Sequence, residues 1–178
     1  MPKSASNVRQ VARGMFRRAI VQSAPQLGLK GSARVVESLR RGYCQSCETL
    51  RFNLARQVAD YFSLVDPDLR ALYLYDPEYA SGDYECAKSA SSPSSGIHLI
   101  AWTRAKKSIP SDLLQELRTA FQDARTDILC PDASGLCYSL NIAVVNDAEV
   151  RARKGYAAMI DSTTIRPTQV WAKDRVAA

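Results

Sequence analysis

The sequence predicts a mixed α+β fold, with one sheet of about four strands, helices packed on it, and a helical N-terminal arm in front. Short apolar runs rich in β-branched and aromatic residues stand at 70–76, 96–102 and 138–147 and read as strands. Segments with apolar residues three and four apart stand before and between them and read as helices. The resulting order is helix–strand–loop–strand–helix–strand–helix–strand, the pattern of a sheet with helices laid against it.

From 5 to 23 the pattern is helical. Val8, Val11, Ala12, Met15, Phe16 and Ala19 share one face, and Arg9, Arg13 and Arg17 form a stripe at i, i+4 and i+8 on another. Gly14 weakens this helix by about 1 kcal/mol, and Pro25 and Gly28 end it. A second helix over 32–41 stops at Gly42, a natural C-terminal residue. The third, over 44–64, carries Cys47, Leu50, Leu54, Val58, Tyr61 and Val65 along a core face and ends at Asp66-Pro67.

The first strand follows at once. Residues 76–95 include Ser89-Ala90-Ser91-Ser92-Pro93-Ser94-Ser95 and read as a mobile loop, long enough to be either functional or disordered. After the second strand, Arg104, Lys106 and Lys107 lead to Pro110 and a helix over 111–128 that buries Leu113, Leu114, Leu117, Phe121 and Ile128. The turn Cys130-Pro131-Asp132-Ala133-Ser134-Gly135 opens the third strand. A short helix over 148–154 and a last strand over 168–173 complete the chain, which has no internal repeat.

The length of 178 residues suits one domain with an extension, divided as an arm over 1–42 and an α/β domain over 43–178. Charge marks the same boundary. Nine of the twenty-four Lys and Arg residues fall before residue 43, against a single acid, Glu37; the remainder of the chain is slightly acidic. Such asymmetry predicts contact with nucleic acid, an acidic protein or an anionic membrane surface. The expected contacts are Arg9, Arg13, Arg17, Arg18, Arg40 and Arg41. An Arg-rich, Ser-containing, acid-poor amphipathic segment also fits an organelle transit peptide. No apolar run approaches the roughly 18–20 residues a membrane span needs. The stretch 15–29 is broken by Arg17, Arg18 and Pro25, so no secretory signal is expected. A cytoplasmic setting follows, with a mitochondrial or other organellar one as the alternative.

Five cysteines, an odd number without a secretory signal, predict reduced thiols. Cys44-Gln45-Ser46-Cys47 has metal-ligand spacing, and Cys130 with Cys137 would complete a four-thiolate site; but that second pair is separated by six residues and Cys47 is in register with Leu50 and Leu54. Neither a metal nor a disulfide is expected, and Cys47 is expected in the core. His98 is the chain's single histidine and sits inside an apolar strand, which favours a half-buried, satisfied imidazole over a ligand or base. Asp83 and Glu85 lie in the long loop, downstream of Asp76 and Glu78; a solvated loop is favoured over an acid–base pair. Tyr73 and Tyr75 share a strand face, with ordinary strand composition favoured over base stacking.

The order and spacing resemble the core of the nucleotidyltransferase family. There a helix precedes a first strand ending in a Gly-Ser turn, a second strand carries Asp-x-Asp-Leu, and a third strand carries another acid before an Asn-Asp-Ala-like turn. In this chain Ile97-His98-Leu99-Ile100 stands at the second-strand position, and the third strand runs into Asn146-Asp147-Ala148. The likeness spans about 45–173. The sharp motifs differ. Asp76-Pro77 replaces Gly-Ser, Gly96 and His98 replace the paired carboxylates, and Asn141 replaces the third acid. An imidazole and an amide do not hold two Mg²⁺ in line with attacking and leaving oxygens. The resemblance therefore implies a scaffold without catalytic residues, metal or cofactor: a binding or structural protein among other subunits. Two alternatives are an active enzyme with acids drawn from Asp76, Asp83 or Asp147, and an organellar membrane-complex subunit whose arm docks on its neighbours.

Overall fold

The computed structural model describes residues 5–76, 96–105, 109–129, 138–164 and 167–173. In chain order the elements are α1 (Ala5–Gln26), α2 (Ser32–Arg40), α3 (Cys44–Val65), β1 (Leu69–Tyr75), β2 (Ile97–Thr103), α4 (Ser111–Leu129), β3 (Leu140–Asn146), α5 (Asp147–Ala152), a 3₁₀ turn (Gly155–Met159) and β4 (Thr168–Ala172). Local chemistry accounts for the junctions. Gly42, at φ 70°, lets the chain leave α2 in a left-handed conformation that a side chain would strain. Asn146 accepts from the N–H groups of Ala148 and Glu149, and the Glu149 carboxylate accepts from the Asn146 N–H at 3.1 Å. This reciprocal cap turns β3 directly into α5.

The sheet has the order β3-β2-β1-β4. β1 is antiparallel to β2 and to β4, while β2 and β3 are parallel, with α4 as the crossover a parallel pair requires. Alternation sorts the strands onto two faces. Leu72, Leu74, Ile97, Leu99, Ala101, Leu140 and Ile142 join the main core beneath the helices. Tyr75, Ile100 and Val145 point the other way, with Tyr73 and Trp102, and pack against Ala157, Met159 and Ile160 from the 3₁₀ turn region. Tyr73 and Tyr75 do share a face, and the expected loop over 76–95 lies outside the described residues beyond Asp76.

The N-terminal helix forms as expected, but it is packed into the core rather than held apart as an arm, and among the described residues one core cluster runs across residue 42. Ala12, Met15, Phe16 and Ala19 are fully buried, in one cluster with α3, α4 and the sheet. The Phe16 ring lies 5.2 Å from Phe121 of α4 and 6.4 Å from Tyr138 at the head of β3, in tilted and edge-on arrangements favoured by aromatic quadrupoles. Toward α3 the seam is polar. Asn53 Nδ2 donates to Ser23 Oγ and to Gln26 Oε1, both at 2.9 Å, and Ser23 Oγ donates to the Ala19 carbonyl at 2.8 Å. Buried amides and hydroxyls are tolerated only when paired in this way.

This seam explains why α3 is buried on more than the single face its periodicity predicts. Leu50, Leu54 and Val58 are buried as expected, but so are Asn53, Gln57, Ala59 and Phe62, because α3 meets α1 on one side and the sheet on another. If α1 is integral, Phe16→Ala costs about 3–5 kcal/mol in chemical denaturation, the usual loss for an emptied aromatic core site. A detached arm would leave the unfolding midpoint unmoved.

Candidate functional site

The six arginines expected to contact an anionic partner do not form one surface. Arg9 Nε lies 3.2 Å from Asp123 Oδ2, and Arg13 Nε donates to Asp127 Oδ2 at 2.9 Å. The acids are spaced i, i+4 along α4, as the arginines are along α1, so the two helices present matched ionic rungs. All four side chains are half exposed, and each pair contributes on the order of 0.2–1 kcal/mol. Arg40 and Arg41 stand elsewhere. Arg40 Nε donates to the carbonyl of Leu129, the last residue of α4, at 3.4 Å, where a cation suits the negative end of a helix. Arg41 pairs with Glu37 at 2.7 Å and Arg34 with the same carboxylate at 2.9 Å; these contacts hold the Glu37 carboxyl below its ordinary range, chiefly through the Arg34 hydrogen bond.

Arg17 and Arg18 remain. Arg17 is exposed with no side-chain partner among the described residues, and Arg18 Nε donates to the neutral Gln57 Oε1 at 2.6 Å. They stand at one end of a groove of about 960 Å³ between α1 and α3, which also takes in Gly14, Asp60, Tyr61 and Leu64. The contacts Arg18–Gln57 and Ser23–Asn53 show the two helices running antiparallel, so Leu64 lies toward the start of α1.

A second candidate lies at one end of the sheet, where Tyr75 of β1, His98 of β2 and Asn141 of β3 are register partners across three strands. His98 is half-buried, its ring centroid 5.6 Å from that of Tyr75. Gly96 makes room for it: a Cβ there would lie 2.8 Å from His98 Nε2 and 3.0 Å from Ser139 Oγ, so any larger residue would displace the imidazole. Asp76, at the same end, is largely buried and pairs with Arg51 at 3.1 Å. Asp147 is at the opposite end of the strands, about 20 Å away for seven residues of extended chain. There its carboxylate accepts from Arg70 and, at 2.8 Å, from Trp102 Nε1. Asp76 and Asp147 therefore do not converge. Glu78, Asp83 and Glu85 lie outside the described residues, and no group of three His, Cys, Asp or Glu side chains among those described is placed to hold a metal.

The cysteines depart from expectation. Cys44 is disulfide-bonded to a cysteine outside the described residues, which corrects the expectation of reduced thiols throughout and removes Cys44 as a thiolate ligand. Cys47 is free and packs against the core cluster that contains Leu50 and Leu54, but is only half-buried. Burial raises its thiol pKa, partly offset by the Tyr138 hydroxyl beside it. The sequence carried no spacing signal for the cross-link. It did carry one for the α1–α4 rungs, in the matching i, i+4 spacing of Arg9/Arg13 and Asp123/Asp127.

Two outcomes follow. Burial, with the Tyr156 hydroxyl beside it, pushes the Tyr75 phenol up to about 12 from an ordinary 10.0, and burial also raises the Tyr138 phenol. Below pH 10 both states of the protein are neutral at these sites. Above it the unfolded chain ionises first, so stability should fall as pH rises from about 10 toward 12. Phenolate absorbance should show this class ionising after exposed tyrosines, with Tyr156→Phe lowering the Tyr75 midpoint. For the disulfide, the tryptic peptide 42–51 from unreduced protein should carry one cross-link and one alkylatable thiol. Two alkylated thiols on that peptide would contradict the structure.

No protein-family model, curated protein or solved structure matches this chain.

Proposed function

We propose that this is a non-catalytic, nucleotidyltransferase-like binding or structural domain that works within a larger assembly and meets an anionic partner through α1. The observation that carries the reading is the β2–β3 register. The family resemblance puts metal-binding acids on its second and third strands; here the residues at those positions, His98 and Asn141, are direct neighbours across the parallel pair. This pairing is consistent with the proposed likeness, while neither residue is a carboxylate. An imidazole packed on Tyr75 beside an exposed amide offers hydrogen bonds but no anionic cradle for Mg²⁺. The relocated-acid alternative draws no support from Asp76, which is held by Arg51, or from Asp147, which is held by Arg70 and Trp102.

The anionic-partner half of the reading rests on Arg17 and Arg18, since Arg9, Arg13, Arg40 and Arg41 already meet acids or a helix terminus. No helix among the described residues is long and apolar enough to cross a membrane. The Cys44 disulfide weighs against the expected reducing cytoplasm, because such bonds persist where thiols are not kept reduced. It favours the organellar alternative.

Calorimetric titration with ATP and Mg²⁺ tests the first half and should give no saturable heat. A metal-dependent isotherm abolished by Asp76→Asn would restore the enzyme reading. Retention on a heparin column tests the second half. The pair Arg17→Gln and Arg18→Gln keeps helix propensity and should elute at lower salt than the parent. Unchanged elution would leave α1 an ordinary solvated face.

A further inference from the structure

The groove between α1 and α3 joins an apolar surface to a cationic one in a way that phosphate binding alone does not require. Leu64 is 85% exposed, the most exposed large apolar side chain among the described residues. Tyr61, one turn earlier on the same helix, is half-buried, and across the groove Val11 is half-buried as well. These three make an apolar strip along the lower half. Arg17 and Arg18 stand beyond it. Between the two, Gly14 leaves the α1 backbone bare, and the Arg18 guanidinium lies across it, 3.3 Å from where a Cβ would stand. The walls run from Asn7 to Arg18 on α1 and from Gln57 to Leu64 on α3. At 1.5 Å per residue the α1 wall is about 16 Å long, or three helical turns.

We propose that this groove docks an acidic amphipathic helix of a partner protein, a reading that rests on the proposed function above and specifies its anionic partner. About three turns of such a helix would lay an apolar stripe on Leu64, Tyr61 and Val11 and bring carboxylates to Arg17 and Arg18, the helix-in-groove mode of recognition. Charge arithmetic favours this occupant over a nucleic acid. Arg9 and Arg13 are matched by Asp123 and Asp127, and Asp60 lines the same groove. Two cations are left to release counterions, which gives a salt slope of about −2 rather than the steep slope of proteins that contact six to ten phosphates. Nor does an exposed leucine serve against a phosphate backbone.

The test titrates the full chain with a synthetic 16-residue amphipathic peptide of leucine and glutamate, with the same peptide carrying lysine for glutamate, and with a 20-base-pair DNA duplex. The glutamate peptide should bind and the lysine peptide should not. Arg17→Glu and Leu64→Ser should each weaken the glutamate peptide about tenfold. Both positions are exposed, so the melting temperature should move little, and Arg151→Glu on α5 should leave binding unchanged. Backbone amide shifts on binding should gather at Gly14, Tyr61 and Leu64. Equal binding of the two peptides would overturn the proposal, as would shifts gathered elsewhere, or self-association that Leu64→Ser abolishes. Tighter binding of the duplex, lost in Arg17→Glu, would sink this inference and leave the anionic-partner reading standing. If neither the glutamate peptide nor the duplex binds, both fall.

Discussion

The structure depends on the burial of α1 against α3 and α4. Those two helices pack on the sheet, α3 beneath β1, β2 and β4 and α4 beneath β3, and α1 lies against both. Phe16 is the contact that joins the parts. Its ring meets Phe121 from α4 and Tyr138 from the entry to β3, so one side chain ties the N-terminal helix to the crossover helix and to the strand that follows it. On the other flank the bond chain Asn53–Ser23–Ala19 fixes the azimuth of α1 against α3. Apolar contact alone sets how close two helices come. A buried hydrogen bond also sets which residues face each other, because an unmet amide there costs about 1–3 kcal/mol.

Fixing α1 at that azimuth decides what its arginines do. With the apolar face inward, Arg9 and Arg13 reach Asp123 and Asp127 of α4 at the same spacing, while Arg17 and Arg18 line the α1–α3 groove beyond them, where Asp60 is the acidic side chain of the lining. The cationic stripe is thus divided by packing into a part paired with carboxylates of α4 and a part that is not. Net charge along the sequence overstates what is available to a partner, because it counts charges and not their neighbours.

The elements themselves were largely legible in the sequence. Among the described residues four strands and five α-helices form within a few residues of their expected limits, since strand and helix periodicity, Gly42 and Asp66-Pro67 are local signals. The tertiary role of α1 was not legible. An amphipathic helix with Arg on one face and Met15 and Phe16 on the other reads equally as an arm that awaits a partner or a helix that already has one, and only the fold supplies Phe121. The half-exposed state of Cys47 and the cross-link at Cys44 were hidden for the same reason. Both depend on long-range contacts that no local pattern reports. Of the groove's residues, the sequence singled out Arg17 and Arg18 as candidate contacts and not Leu64, because a leucine near the end of a helix gives no local sign that it points outward.

The sheet end and the α1–α3 groove lie on opposite sides of the molecule's logic. At the sheet end, Gly96 yields space to His98, the imidazole rests on Tyr75, and Asp76 is held by Arg51. Each group is engaged with a neighbour, as in a surface stabilised for its own sake. At the groove, Gly14 again yields space, but to a flexible guanidinium, and Leu64 stands almost wholly in water beside it. Apolar area left in solvent forgoes about 25 cal/mol per Å², a loss that packing normally removes when nothing opposes it. A glycine that opens a helix surface, a cation without a carboxylate and an uncovered leucine are each unremarkable alone. Together in one groove they leave unmet the same three needs that a single acidic, apolar-striped helix would satisfy at once.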